Sequence, residues 1–496
     1  MSRGRNRTRA GRIIAPGGVA WIAALALLGC TRIYGGPGVS PAPDIPWTPP
    51  PGAKPHPVAT TPGATIPAEL LESNARWTLA DLVDIALRSS SETRAAWAAA
   101  RAAAAAYGSR LGDYLPDVNL NAQVGRQQNA AQPDRPSVEQ RTYGPAADLT
   151  WLLFNFGGRR AKVEETHQAL LAADWTHNGV IQDVVLRVEQ AYYQHVATRA
   201  LLAAEESTLT EVRIGLDASE ERHRAGLGTI AEVLQARTAV SQVQLIVESL
   251  RGGIATTRGA LATAMGLPAN TEFEAEPLPL ELPVQQTETS VEQYLAQARE
   301  QRPDLAAARA QVFAADAHVR SVRAEGYPAL TAVGSLGRVF RDRPDDFSDT
   351  HTAALQLRFP IFTGFSHPCD VLESKADADA ARARLQGMEQ AVTLQVWTSY
   401  YDFKTAKQRL KTSEDLMRSA TESHDVALGR YRAGVGTILD LLSAQAALEA
   451  ARAVQVQARA DWCVSLARLA HATGVLGPAA DPAVGAATDS GKEERP

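Results

Sequence analysis

The sequence is short of aromatic residues, 6% of 496, and long thin helices suit that scarcity better than a large globular core. Cysteine is scarcer still. It occurs at Cys30, Cys369 and Cys463, which implies no disulfide framework. Two separate thiols are the simpler reading, with a Cys369–Cys463 bridge left open beside it. Four methionines are too few for a methionine-rich copper relay. There is no basic excess, since the net charge is −5, so nucleic-acid binding is not expected. A P-loop, a G-x-S-x-G elbow, an H-E-x-x-H pair and a dinucleotide fingerprint are all missing from the sequence, so neither an enzyme nor a cofactor is expected. At 45% hydrophobic and 21% charged, the chain is neither disordered nor a polytopic helical membrane protein. Alanine runs such as RAAAAAYG at 101–108 favour helices that approach one another closely.

What the chain does contain is a stretch stated twice. RYRAGVGTILDLLSAQ, from Arg430 to Gln445, repeats RHRAGLGTIAEVLQAR, from Arg222 to Arg237. Arg224, Gly226, Gly228 and Thr229 return as Arg432, Gly434, Gly436 and Thr437. Two glycines one residue apart are expected to supply positive-φ positions that end a helix and reverse the chain. Thr229 and Thr437 then read as N-caps of the returning helices. Glu232 and Asp440 stand three residues on, the spacing of a capping box. Both stretches are therefore predicted to be tips of helical hairpins.

The N-terminus reads as an address. Arg3, Arg5, Arg7, Arg9 and Arg12 precede an apolar run that ends at Leu27-Leu28-Gly29-Cys30. Such a pattern is a secretory signal, and its ending resembles a bacterial lipobox. That resemblance implies a signal peptide at 1–29 and a lipid-modified Cys30. An ordinary signal peptide with an incidental cysteine is the alternative. Cleavage removes five arginines and leaves the mature chain more acidic, and Thr31 after the cysteine favours the outer membrane under the sorting rule the resemblance brings. Residues 30–75 are rich in proline and glycine and read as a tether without a core.

The body is expected to begin where Thr78 and Asp81 cap an amphipathic helix, with a second helix over about Ser91–Gly112. Val118, Leu120, Ala122 and Val124 then alternate with polar residues, and Ala147, Leu149, Trp151 and Leu153 do so in a partner strand. Each strand is about ten residues long, enough to cross a bilayer when tilted, with Tyr143, Trp151, Phe154 and Phe156 as candidate interfacial belts. A soluble hairpin half buried on a core is the other reading. A helix of about 62 residues, roughly 93 Å, follows from Arg160 to Glu221. Its return from Thr229 to about Gly266 is shorter, and the helix from Ser91 would fill the missing length if stacked on it end to end. A linker with one short helix, about Pro268–Glu300, completes a first repeat at 76–300. A second repeat at 301–476 has the same order: a helix from Pro303, strands around 330–336 and 353–359, a long helix to Tyr431, and a return ending near Gly474. Residues 477–496 form a polar tail.

This arrangement resembles the TolC-like outer membrane factor family, in its outer membrane efflux lipoprotein branch. The most specific parts are RPDL at Arg302–Leu305, the two G-x-G-T tips, and Y-x-x-G-x-x-x-x-L-D-L-L at Tyr431–Leu442. The resemblance implies an internally duplicated α+β fold: a trimeric transmembrane β-barrel, four strands per protomer and twelve shared, continued by a long periplasmic α-helical barrel. It implies a bacterial outer membrane exit channel in a tripartite efflux or secretion system. The partners would be two further copies, outer membrane lipid, a periplasmic adaptor (a membrane fusion protein) and an inner-membrane pump. Arg224, Gly226, Gly228, Thr229, Arg432, Gly434, Gly436 and Thr437 would form the adaptor-docking tips, with Asp440 as candidate gate. Elementary physics agrees in part, because four strands cannot enclose a lumen and their edges must be closed by other copies. The alternative is a periplasmic coiled-coil adaptor or scaffold lipoprotein without a pore.

Two departures from the family pattern stand out. The chain reads SHPCD at Ser366–Asp370 where the first repeat has GGRRAK at 157–162. His367 lies close to Cys369, yet no further ligand is nearby and a structural metal site needs four, so no metal is expected. The second acidic position of the family's constriction is occupied by Ser443. The cargo is not legible in the sequence.

Overall fold

The computed structural model describes residues 42, 44–46, 76–129, 138–277 and 290–477. The signal peptide, Cys30, nearly all of the tether and nearly all of the C-terminal tail lie outside these residues. The elements run α1 Leu79–Ser89, α2 Ser91–Gly112, β1 Asp117–Asn129, β2 Val138–Phe154, α3 Gly158–Arg224, α4 Ile230–Ala264, α5 Val291–Gln301, α6 Pro303–Ala324, β3 Ala329–Arg341, β4 Arg343–Arg358, α7 Ser366–Arg432 and α8 Ile438–Thr473. The order from α2 to α4 recurs from α6 to α8. The chain divides into two compact units. Among the described residues, one consists of 101–170 and 320–371, and the other of the remainder.

The first unit is organised by one antiparallel sheet in the order β1-β2-β3-β4. Sequence alternation predicts two strand pairs, and the structure joins them through β2 and β3. The register puts Val118 opposite Leu149 and Leu120 opposite Ala147, Ala147 opposite Leu336 and Trp151 opposite Ala332, and Ala332 opposite Leu355 and Leu330 opposite Leu357. Because register partners share a face, one apolar face runs across all four strands. Asn119, Asn121, Asp148, Thr150, Ser335, Thr352 and Gln356 share the other face. The apolar face is uncovered in the single chain: Leu120 is 81% and Val124 89% exposed. Where β2 meets β3 the backbones come so close that a Cβ on Gly144 would collide with the Arg338 carbonyl oxygen.

The strands are longer than predicted, 13, 17, 13 and 16 residues. Alternation marks only their apolar halves, because beyond Val124 and before Ala353 both faces are polar and the period-2 signal disappears. Among the described residues, no helix is long and apolar enough to cross a membrane.

The second unit is helical. Its main core sets Leu82, Val83, Ile85, Ala86 and Leu87 of α1 against Ile181, Val184, Val185 and Val188 of α3 and Leu261 of α4. The start of α1 is fixed by the predicted capping box, in which Thr78 and Asp81 exchange backbone bonds at 2.9 and 3.2 Å. Elsewhere the core is a string of small clusters, such as Val212 with Val240, Val243 and Val247 and Ala420 with Leu448 and Ala451. Alanine and valine, with few aromatics, let the helices pair along their length without a wide core.

The length-matching expectation has a structural counterpart at both places. A Cβ on Gly266, just past α4, would lie 3.0 Å from the carbonyl oxygen of Ser89, the last residue of α1, and 3.2 Å from the nitrogen of Ser90, just before α2. A Cβ on Gly474, just past α8, would lie 2.8 Å from the carbonyl of Gln301, the last residue of α5, and 2.9 Å from the nitrogen of Arg302, just before α6. Return helices of 35 and 36 residues therefore each meet a 22-residue helix end to end. Each pair still falls short of its 67-residue partner, α3 or α7, by more than two helical turns, so the lengths match less closely than expected.

Cys463 is buried and Cys369 exposed, both as free thiols, which settles the bridge left open by the sequence. Burial pushes the Cys463 thiol up to about 11.

Candidate functional site: the two helical tips

The tips match bond for bond. At the end of α3 the Leu227 N–H donates to the Arg222 carbonyl at 2.8 Å and the Gly226 N–H to that of His223 at 2.9 Å. At the end of α7 the Val435 N–H donates to Arg430 and the Gly434 N–H to Tyr431, both at 3.1 Å. This is the Schellman pattern, which satisfies the last carbonyls of a helix. Gly226 and Gly434 take φ of +72° and +74°.

Here one expectation is corrected, because Gly228 and Gly436 do not have positive φ. Close approach favours glycine there instead. A Cβ on Gly436 would lie 3.1 Å from the Arg430 Cβ and the Tyr431 nitrogen, and one on Gly228 would lie 3.2 Å from a Glu232 carboxylate oxygen and 3.4 Å from the Arg222 Cβ.

Thr229 and Thr437 cap the return helices with identical backbone angles, φ −90° and ψ 156°. Thr437 Oγ1 accepts from the Asp440 N–H at 3.2 Å, and the Asp440 carboxylate accepts from the Thr437 N–H at 3.2 Å. Asp440 is exposed, and its hydrogen bonds from Thr437, aided by the Arg430 charge, hold its carboxyl below the ordinary range. Arg224 and Arg432 are exposed beside the turns. So are Leu227 and Val435, at 73% and 70%. Each tip thus presents an arginine and a bare aliphatic side chain on a rigid turn.

The tips differ in what lies beneath them. In the first, His223 Nδ1 lies 3.0 Å from the Gly228 carbonyl oxygen. In the second, Tyr431 occupies the matching position, buried at 3% exposure. Its hydroxyl lies 3.2 Å from Ser219 Oγ of α3, and the Arg222 guanidinium sits over its ring at 5.0 Å. Further along, Arg452 of α8 donates to both Glu211 oxygens at 3.2 and 2.9 Å and to Thr208 at 3.1 Å. These bonds tie the second hairpin to the first. Tyr431 lies within the motif read from sequence, but Ser219, Glu211 and Arg452 carry no local pattern and were not foreseen.

In the first unit a cavity of about 910 Å³ opens at the foot of the polar sheet face, lined by Asp117, Lys162, Arg358, His367 and Asp370 among others. The SHPCD departure falls here. The His367 ring lies so close to Gly326 that a Cβ there would strike it, so a packing role accounts for the histidine. Among the described residues no group of three or more His, Cys, Asp or Glu could hold a metal ion.

Compared with known proteins, residues 82–267 and 294–475 match the family of outer membrane efflux proteins. Protein CyaE of Bordetella pertussis is 28% identical over 417 residues, covering 83% of this chain and 86% of that one. The probable efflux pump outer membrane protein TtgC of Pseudomonas putida is 24% identical over 402 residues, 80% of this chain and 82% of that one. Among solved structures, the outer-membrane channel OprN superposes with a TM-score of 0.73 at 22% identity, covering 88% of this chain and 99% of that one.

Proposed function

Because the chain belongs to the outer membrane efflux protein family and is an outer membrane exit channel, we propose that three copies close one barrel and serve as the passive duct of a tripartite assembly. Cargo is delivered by an inner-membrane pump through a periplasmic adaptor, and the two tips dock that adaptor. The observation that carries this reading is the sheet. Among the described residues both edge strands, β1 and β4, lack an outer partner, while an apolar face crosses all four strands. Unpaired edges in lipid are forbidden, so other copies must pair with them, and the polar face then lines the lumen. A pore-less adaptor or scaffold would have no use for an uncovered apolar face of that extent.

The experiment is reconstitution of the purified chain. Detergent-solubilised protein should have the mass of three copies and conduct in a planar bilayer. A monodisperse monomer with intact strands, or a trimer without conductance, would refute the duct. Cys30 carries the lipid anchor in this reading, and the mass of the mature N-terminus checks it: an unmodified cysteine there removes the anchor but leaves the duct.

A further inference from the structure

The apolar face of the sheet ends on two cations placed opposite each other. Along β1 the same-face series Val118, Leu120, Ala122, Val124 continues to Arg126, and along β2 the series Leu149, Ala147, Pro145, Tyr143 continues to Arg141. Arg126 and Arg141 are register partners, one step beyond the Val124–Tyr143 pair. Like charges directly opposite destabilise an antiparallel pair. Glu139 meets Arg126. One Asp342 carboxylate oxygen accepts from the Arg141 backbone N–H at 3.0 Å. Among the described residues no carboxylate is paired with the Arg141 guanidinium, which is exposed.

The place of this pair along the strands gives its surroundings. Tyr143 stacks on Phe340 at 5.2 Å and Phe340 meets Phe347 at 5.9 Å, and one step before this layer the same face of β3 and β4 carries the Arg338–Asp349 ion pair, a mixture of aromatic and charged groups that suits the membrane–water interface rather than the hydrocarbon. The arginines stand just beyond it, on the face turned to lipid. They lie at the end of the sheet away from the joins to α2, α3, α6 and α7, which is the outer-leaflet end of an outer membrane duct. Guanidiniums on two directly opposed residues fit a phosphate through paired charge-assisted hydrogen bonds.

We propose that Arg126 and Arg141 form a binding site for a phosphate of an outer-leaflet glycolipid, the acylated diglucosamine bisphosphate of lipid A. The anion supplies the side-chain partner that the Arg141 guanidinium lacks among the described residues, and the acyl chains lie along the apolar face below. The site rests on the membrane-spanning reading of the sheet but not on conductance, so its failure is separable from failure of the duct.

The test uses the full-length trimer, delipidated in detergent, with bound lipid read by native mass spectrometry and stability by the midpoint of thermal dissociation. Bisphosphorylated lipid A should bind and raise the midpoint, whereas the same lipid dephosphorylated, or inorganic phosphate alone, should not. Arg141→Gln, which leaves the Arg126–Glu139 contact in place, should lose about tenfold in affinity, the scale of one lost charge-assisted bond. Arg341→Gln, at the same end of the sheet but on its polar face, should bind as the parent does. Equal binding of dephosphorylated lipid would overturn the site. So would phosphate-dependent binding that survives in both Arg141→Gln and the Arg126→Gln/Arg141→Gln double variant, each shown to run as a trimer. If no lipid binds and the delipidated parent trimer is already more stable than Arg141→Gln, the offsetting charge comes from the next copy instead, and the proposal fails.

Discussion

A Cβ added at Gly226 or Gly434 would meet nothing within 4 Å, whereas Gly228 and Gly436 press on their own helices. That contrast makes the first pair a clean probe of docking. At Gly434 any side chain meets the same local strain of about 1–2 kcal/mol for a left-handed conformation, but only a large one covers the turn. Gly434→Ala should therefore keep transport, while Gly434→Trp should abolish it with trimer and membrane insertion unchanged, and Gly226 should behave alike. Transport retained by both tryptophan variants would remove the tips from the adaptor interface. Arg302 illustrates a motif residue whose role is architectural. Buried at 7% exposure, it binds Asp304 at 2.9 and 2.6 Å, Gln395 at 2.7 Å and the Ala472 carbonyl at 3.2 Å. The RPDL signature thereby fastens the start of α6 to α7 and to the end of α8.

At the scale of elements, the seam between α3 and α8 is where charge and burial conflict. Glu205 is 5% exposed, one of its oxygens has no hydrogen-bond partner, and burial, with Glu449 adding repulsion against the pull of Arg452, raises its carboxyl from 4.5 to about 6. The folded state thus holds this proton more tightly than the unfolded state. Its contribution to stability is present below about pH 4.5 and is lost as pH rises through about 6. Glu205→Gln should raise the melting midpoint at pH 7 and leave it unchanged at pH 4; an equal shift at both would point to packing rather than ionisation. Nothing in the sequence announced this seam, because a single acid among many helical acids has no period. The helices themselves were legible, since Thr78, Thr229 and Thr437 with their acids three residues on mark starts that depend only on neighbouring residues. The sheet faces were legible where lipid imposes alternation. The pairing of β2 with β3 was not, because it joins segments almost two hundred positions apart without a local signature. The tips were half legible: four glycines were read as one kind, and the structure separates two that turn the chain from two that merely fit.

For the whole molecule the question is whether Asp440 gates the duct or only caps α8. In a closed trimer, three copies would stand at one level near the tips. Since the Thr437 bonds and Arg430 keep the carboxyl below its ordinary range, each copy is ionised at neutral pH, and three negative charges would attract cations and repel one another. Glu232 makes the same cap in the first repeat, with bonds of 3.4 and 3.3 Å to and from Thr229, so the cap alone is sufficient reason for an acid there. Asp440→Gln separates the two roles, because a capping box accepts Gln as well as Glu at this position while the charge is lost. Under the gating role, single-channel recording in a planar bilayer should show weaker cation preference and easier opening. Thr437→Ala is the complementary change, which costs the helix about 1 kcal/mol and leaves the charge in place. Should Asp440→Gln conduct like the parent while Thr437→Ala disturbs the channel, the three carboxylates are caps and not a gate.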